Sequence, residues 1–120
     1  MTRLADTLWY ERRLLEYLLF KLVSANLVLI ADDRRFVGPA VDEVDDVMSE
    51  IRKAEEQRSI VIDSVAAEFG VSPAQVSMSF LVEASPAALR ATFEDHQDAF
   101  MKLVGEIEVL TKENRRRATV

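Results

Sequence analysis

The sequence predicts an all-α protein in which a long antiparallel helical hairpin and a third long helix pack as a three-helix, coiled-coil-like bundle. Three observations lead there. The 120 residues include three glycines and three prolines, which permits long uninterrupted helices and disfavours a turn-rich β fold. Apolar residues recur at alternating steps of four and three along three stretches, the spacing of helix-on-helix seams. Turn and cap signals separate those stretches, near residues 32–35 and across 70–85. A chain of this length makes one domain, 1–120, rather than two.

The first helix is expected over about residues 3–31. Its seam is Leu4, Leu8, Leu15, Leu18, Leu22, Ala25 and Leu29, with one polar slot at Glu11. A second stripe of Trp9, Phe20, Val23, Leu27 and Ile30 widens the apolar face, so this helix needs more than one neighbour. Residues 14–30 imitate a membrane span, but Glu16, Lys21 and Asn26 interrupt them, and a charge at mid-bilayer costs about 3 kcal/mol. No small-residue cleavage pattern follows. The reading is a soluble helix without membrane insertion.

Asp32-Asp33-Arg34-Arg35 reads as a turn, with Gly38-Pro39 at or near the first turn of a second helix over about 36–69. That helix carries seam residues Val41, Val44, Met48, Ile51, Ile62, Val65 and Phe69, polar slots at Glu55 and Arg58, and Gly70 as its C-terminal cap. Residues 70–85 are an irregular link. Within it, Ser72-Pro73-Ala74-Gln75 resembles a capping box, Phe80-Leu81-Val82 a short helical turn covering the bundle end, and Ser85-Pro86 a second helix start. The third helix, about 86–116, has the seam Leu89, Phe93, His96, Phe100, Leu103, Ile107, Leu110 and Asn114.

The short link after the first helix makes helices one and two antiparallel neighbours. Facing residues then have numbers summing to near 69, which sets Leu18 against Ile51, Leu22 against Val47 and Met48, and Ala25 against Val44. The same sum sets Glu11 opposite Arg58. Either the two form a partly buried ion pair that penalises slipped registers, or each side chain snorkels separately from the seam's edge.

Few chemistries survive inspection. The formal charge of −6 is spread evenly, with no basic cluster beyond Arg34-Arg35 and Arg115-Arg116-Arg117, so nucleic acid is set aside. Cysteine is absent, which removes thiolate sites and accords with a reducing cytoplasm. His96 is the sole histidine and sits between Phe93 and Phe100 in a seam, the setting of a core residue rather than a catalytic base. A di-iron site needs two Glu-x-x-His motifs, and none is present. Asp42-Glu43-Val44-Asp45-Asp46 lacks the glycine turn of a cation loop and reads as a solvated helix face. No enzyme activity, metal or cofactor is expected.

The helices also resemble a known family. Leu8-Trp9-Tyr10-Glu11-Arg12-Arg13-Leu14-Leu15-Glu16, followed by Leu18-Leu19-Phe20-Lys21-Leu22, is similar to the opening helix of the FlgN family. Glu43-Val44, Ile51-Arg52, Glu55 and Arg58 resemble its second helix. Glu83-Ala84-Ser85-Pro86 resembles its link into the third, and Phe100, Leu103, Glu106-Ile107, Leu110 and Asn114-Arg115 resemble that third helix. The resemblance implies a cytoplasmic chaperone of flagellar type III export. Its partners would be the C-terminal helical segments of hook–filament junction proteins, and the export gate. One departure stands out: the family's third helix runs on into a leucine-rich amphipathic tail implicated in client binding, whereas Asn114 is followed here by Arg115-Arg116-Arg117-Ala118-Thr119-Val120. Either that tail is missing or client binding lies on the exposed face of helix three; the candidate contacts there are Phe93, Phe100, Leu103, Ile107 and Leu110, although the same residues would serve equally to pack the bundle. Trp9 and Phe20 form a second patch, for client or homodimer. The alternative reading is a generic coiled-coil homo-oligomer or adaptor without an export role.

Overall fold

The computed structural model describes residues 2–118; Met1 and the last two residues of the short C-terminal segment, Thr119 and Val120, lie outside the described residues. Among the described residues, four helices and a single 3-10 turn account for almost all positions: α1 (Thr2–Ala31), α2 (Arg34–Phe69), the turn Pro73–Gln75, α3 (Met78–Ala84) and α4 (Ala87–Ala118). The rod they form measures 53 × 22 × 20 Å.

The α1–α2 turn is tighter than the sequence suggests. Asp32 takes a left-handed conformation (φ 53°), and Asp33 caps α2 by accepting from the Arg35 amide at 3.2 Å. The cap starts α2 two residues earlier than expected. Pro39 therefore lies in the second turn, where its missing N–H costs the bond to the Arg35 carbonyl. At the far end Gly70 is left-handed (φ 67°), and the Val71 amide reaches back to the Ala66 carbonyl, which closes the helix.

The link across 70–85 is more ordered than an irregular segment. The Gln75 side chain accepts from the Ser72 amide at 2.9 Å, but the start it marks yields a 3-10 turn alone. Ser77 then caps α3 by accepting from the Phe80 amide at 3.1 Å. α3 is anchored to the bundle by Leu81, which is buried, and to α4 by Arg90, whose guanidinium donates to the Val82 carbonyl at 3.1 Å.

α1 is the central element: it packs along both α2 and α4, whereas α2 and α4 scarcely approach one another. The core falls into two clusters. At the capped end Leu4, Ala5, Leu8, Val61, Val65, Ala66, Val76, Leu81 and Phe93 pack together. Toward the hairpin turn Leu18, Leu22, Val47 and Ile51 form the second, flanked by Val44, Ile107 and Leu110. α1 is long and apolar enough to cross a membrane by length and composition, with a mean hydropathy of 1.8 in its most apolar window. Ion pairs hold it to both neighbours: Lys21 to Glu43 of α2 at 2.9 Å, and Arg12 to Asp95 of α4 at 2.8 Å.

Candidate binding groove

Because α2 and α4 scarcely approach one another, the second core cluster is open on one side. Leu18, Leu22, Ala25 and Leu29 of α1 form the floor of a groove of about 540 Å³. Val37, Val41, Val44, Met48 and Ile51 line one wall; Ile107, Thr111, Asn114 and Ala118 line the other. Asp45 and Glu55 sit on the α2 wall and Arg115 on the α4 wall. The Asn114 amide donates to the Leu22 carbonyl at 3.2 Å and pins α4 to the floor. Seam spacing on α2 marks Val41, Val44 and Met48 as core, but only the α1 side of that seam is covered: Val41 is 47% exposed and Met48 36%.

A polar layer separates the groove from the capped core. Arg58 donates to the Glu11 carboxylate at 2.8 Å, with Glu11 buried and Arg58 partly exposed. Burial raises the Glu11 carboxyl above its ordinary value, the Arg58 charge pulls it back, and nearby Glu55 adds to the rise. Burial wins, so the Arg58 charge offsets only part of the cost of holding the ionised carboxylate there.

His96 lies in the same region, wholly buried. The ring meets Trp9 edge-on at 4.9 Å and lies alongside Phe100 at 6.1 Å, and neither ring nitrogen has a protein hydrogen-bond partner. Burial lowers its pKa, the adjacent Arg12 lowers it further, and Asp95 opposes. The folded chain thus holds a neutral imidazole, while the unfolded chain takes up a proton first as pH falls. The stability it contributes is full above the ordinary value of 6.5 and is lost as pH drops through the depressed one. Glu11 works in the opposite sense over the acid range. A comparison of urea midpoints for wild type and His96→Leu between pH 7.5 and 5 isolates the histidine: the substitution is expected to remove the part of the acid-side loss that His96 causes.

The other candidate contacts divide by position. Phe93 is 0% exposed and Leu103 is buried, so both pack the bundle interior. Phe100 packs against the capped cluster; Ile107 and Leu110 border the second, and Ile107 lines the groove. Trp9 and Phe20 are exposed on α1 away from the groove floor. Sequence reasoning missed the α2 wall as a surface, because a seam gives no sign of how far a third helix reaches along it. The acidic run 42–46 lies on α2 with Val44 turned inward, and among the described residues no three His, Asp or Glu side chains gather where a metal could sit.

A bundle whose central helix is shared and whose outer helices scarcely meet presents a helix-sized apolar cleft. No curated protein and no solved structure matches the chain at a significant level of similarity. The model of one family, described as FlgN protein, matches residues 1–119, and the chain accordingly belongs to the FlgN family of soluble flagellar export chaperones.

Proposed function

We propose that this chain is a cytoplasmic chaperone of flagellar type III export that binds the C-terminal helical segments of hook–filament junction proteins. It keeps them from assembling early and delivers them to the export gate. The observation that carries this reading is the open apolar groove between α2 and α4. An amphipathic client helix lays its i, i+3, i+4, i+7 face onto such a floor. From Leu15 to Leu29 the floor runs about 21 Å, roughly four helical turns. A client disordered beforehand gives up chain entropy on folding into the groove, so binding is moderate and reversible, as a carrier that must release its cargo requires.

The test is a titration with C-terminal segments of the junction proteins from the same genome. Saturable one-to-one binding with induced client helix is expected. Met48→Glu and Val41→Asp, both at exposed positions, are expected to weaken it at least about tenfold, the loss of roughly 1.4 kcal/mol, with the chaperone's own helix content unchanged. Unaltered binding by both variants would remove the groove from the account. Failure of the wild type to bind any junction segment would favour the adaptor alternative.

A further inference from the structure

The two walls of the groove differ in charge. Between residues 42 and 56, α2 carries seven acidic and two basic side chains, a net of −5 out of the chain's −6. Glu43 and Glu50 are already paired, with Lys21 of α1 and with Lys53. Asp45 and Glu55 line the groove, stand exposed, and make no ion pair among the described residues. Arg52 lies between them in sequence but is not part of the groove lining. On the α4 wall the polar lining groups are Thr111, Asn114 and Arg115. The Asn114 side-chain N–H already donates to the Leu22 carbonyl, and its amide oxygen is buried with no partner. The groove therefore offers anions along its α2 edge and an unmet acceptor on the opposite wall. We propose that the client helix carries two basic side chains on the edge it turns toward α2, about eleven residues apart, one meeting Asp45 and the other Glu55. This inference rests on the chaperone reading and adds to it the chemistry and the rotation of the client.

Spacing and charge both support this. Asp45 and Glu55 are ten residues apart on α2, about 15 Å along its axis. Residues about eleven apart on a client helix share one face and are separated by about 16 Å, a difference that flexible lysine or arginine stems absorb. A client turned the other way would set its basic edge against Arg115 and leave both carboxylates facing apolar side chains, so the wrong rotation is penalised. The need for a cation is greatest at the inner end of the groove. There Glu55 lies near the buried Glu11, whose carboxyl stays above its ordinary value although Arg58 is bonded to it. Two carboxylates thus share one guanidinium, and a client cation beside Glu55 supplies the missing charge. An acidic client edge would add a third anion at the same place. Exposed ion pairs contribute little singly, so these two act by selecting rotation and by speeding capture, and both effects fade with salt.

Two designed amphipathic peptides of about 18 residues test this, alike except for lysine or glutamate at two edge positions about eleven apart. In about 0.01 M salt the lysine peptide is expected to bind at least about fivefold tighter than the glutamate peptide, and the ratio should approach one near 1 M. Asp45→Lys combined with Glu55→Lys should invert the preference, and should weaken binding of the junction segments at least about fivefold at low salt. Glu55→Gln removes a charge that burdens Glu11, so this variant should fold at least as well as wild type; weaker binding of the lysine peptide then reports a lost contact rather than lost structure. Equal binding of the two peptides by wild type, with Met48→Glu still weakening both, overturns the proposal and leaves the groove in place. Junction segments whose affinity is unchanged by Asp45→Lys with Glu55→Lys overturn it likewise. If neither the peptides nor any junction segment binds, the chaperone reading fails and this inference falls with it.

Discussion

Replacing Phe93 by alanine is expected to cost about 3–5 kcal/mol, the range for deleting a buried aromatic ring from a packed core. The ring is 0% exposed and lies where α1, α2 and α3 converge on α4, among Leu4, Leu8, Val61 and Leu81. Those neighbours belong to three different elements, so no single element can relax into the space. Against a total stability of about 5–15 kcal/mol, such a loss brings the chain near its unfolding threshold. Urea denaturation followed by far-UV circular dichroism measures it. A loss below about 1.5 kcal/mol, the scale of volume-conserving swaps, would show that the capped core is loosely packed, and would return Phe93 to the list of surface contacts.

The second large effect is expected at Arg58. Arg58→Met removes the charge that sits 2.8 Å from Glu11 and leaves a buried carboxylate without compensation. Breaking a buried pair from one side costs about 3–5 kcal/mol; because the Arg58 side chain is 38% exposed and water shares its charge, about 3 kcal/mol is expected here. The loss should depend on pH. The folded-state pKa of Glu11 is already raised, so its contribution to stability is fully present below the ordinary value of 4.5 and is lost as pH rises through the raised one. Without Arg58 the rise is larger, and the deficit of Arg58→Met should be greatest at neutral pH and shrink on acidification. Replacing both residues, as Glu11→Leu with Arg58→Met, should recover most of the stability, because the desolvation penalty then disappears with the charge. A double-mutant cycle on the pair that returns no coupling would mean the two side chains are energetically independent.

Much of the hairpin was legible in the residues themselves. A short turn and two seams of fixed period leave one register, and Leu18, Leu22, Val47 and Ile51 do share one cluster. The arithmetic that aligns them also brings Glu11 and Arg58 to one level, where the 2.8 Å contact lies. Legibility fails where the outcome depends on a helix remote in sequence. Val41 and Met48 carry the same seam signal as Ile51, yet they stay exposed because α4 scarcely approaches α2, which no periodicity within α2 records. Trp9 meets His96 across 87 residues of chain, so that ring contact could not be read from α1 alone. In the link, Ser72-Pro73-Ala74-Gln75 has the composition of a helix start but stops as a 3-10 turn. Val76 enters the capped core there, and Ser77 begins α3 afresh. The local signal was right about the cap, and the 3-10 turn it starts ends within three residues.

The division of the core into two clusters separated by the Glu11–Arg58 layer has a kinetic consequence. The Gly70 cap, α3 and the larger cluster sit at one end; the cleft sits at the other, between α2 and the C-terminal half of α4, where the smaller cluster and the Asn114–Leu22 bond hold α4 to α1. The molecule is therefore built like a clothes-peg, with its spring at the capped end and its jaws beside the hairpin turn. Opening the jaws disturbs few buried contacts, whereas parting the spring requires nearly global unfolding. Amide exchange should accordingly be a gradient, fast along α4 toward residue 118 and slow around Val61, Leu81 and Phe93. A guest helix could come and go through the fast end while the slow end keeps the molecule's shape.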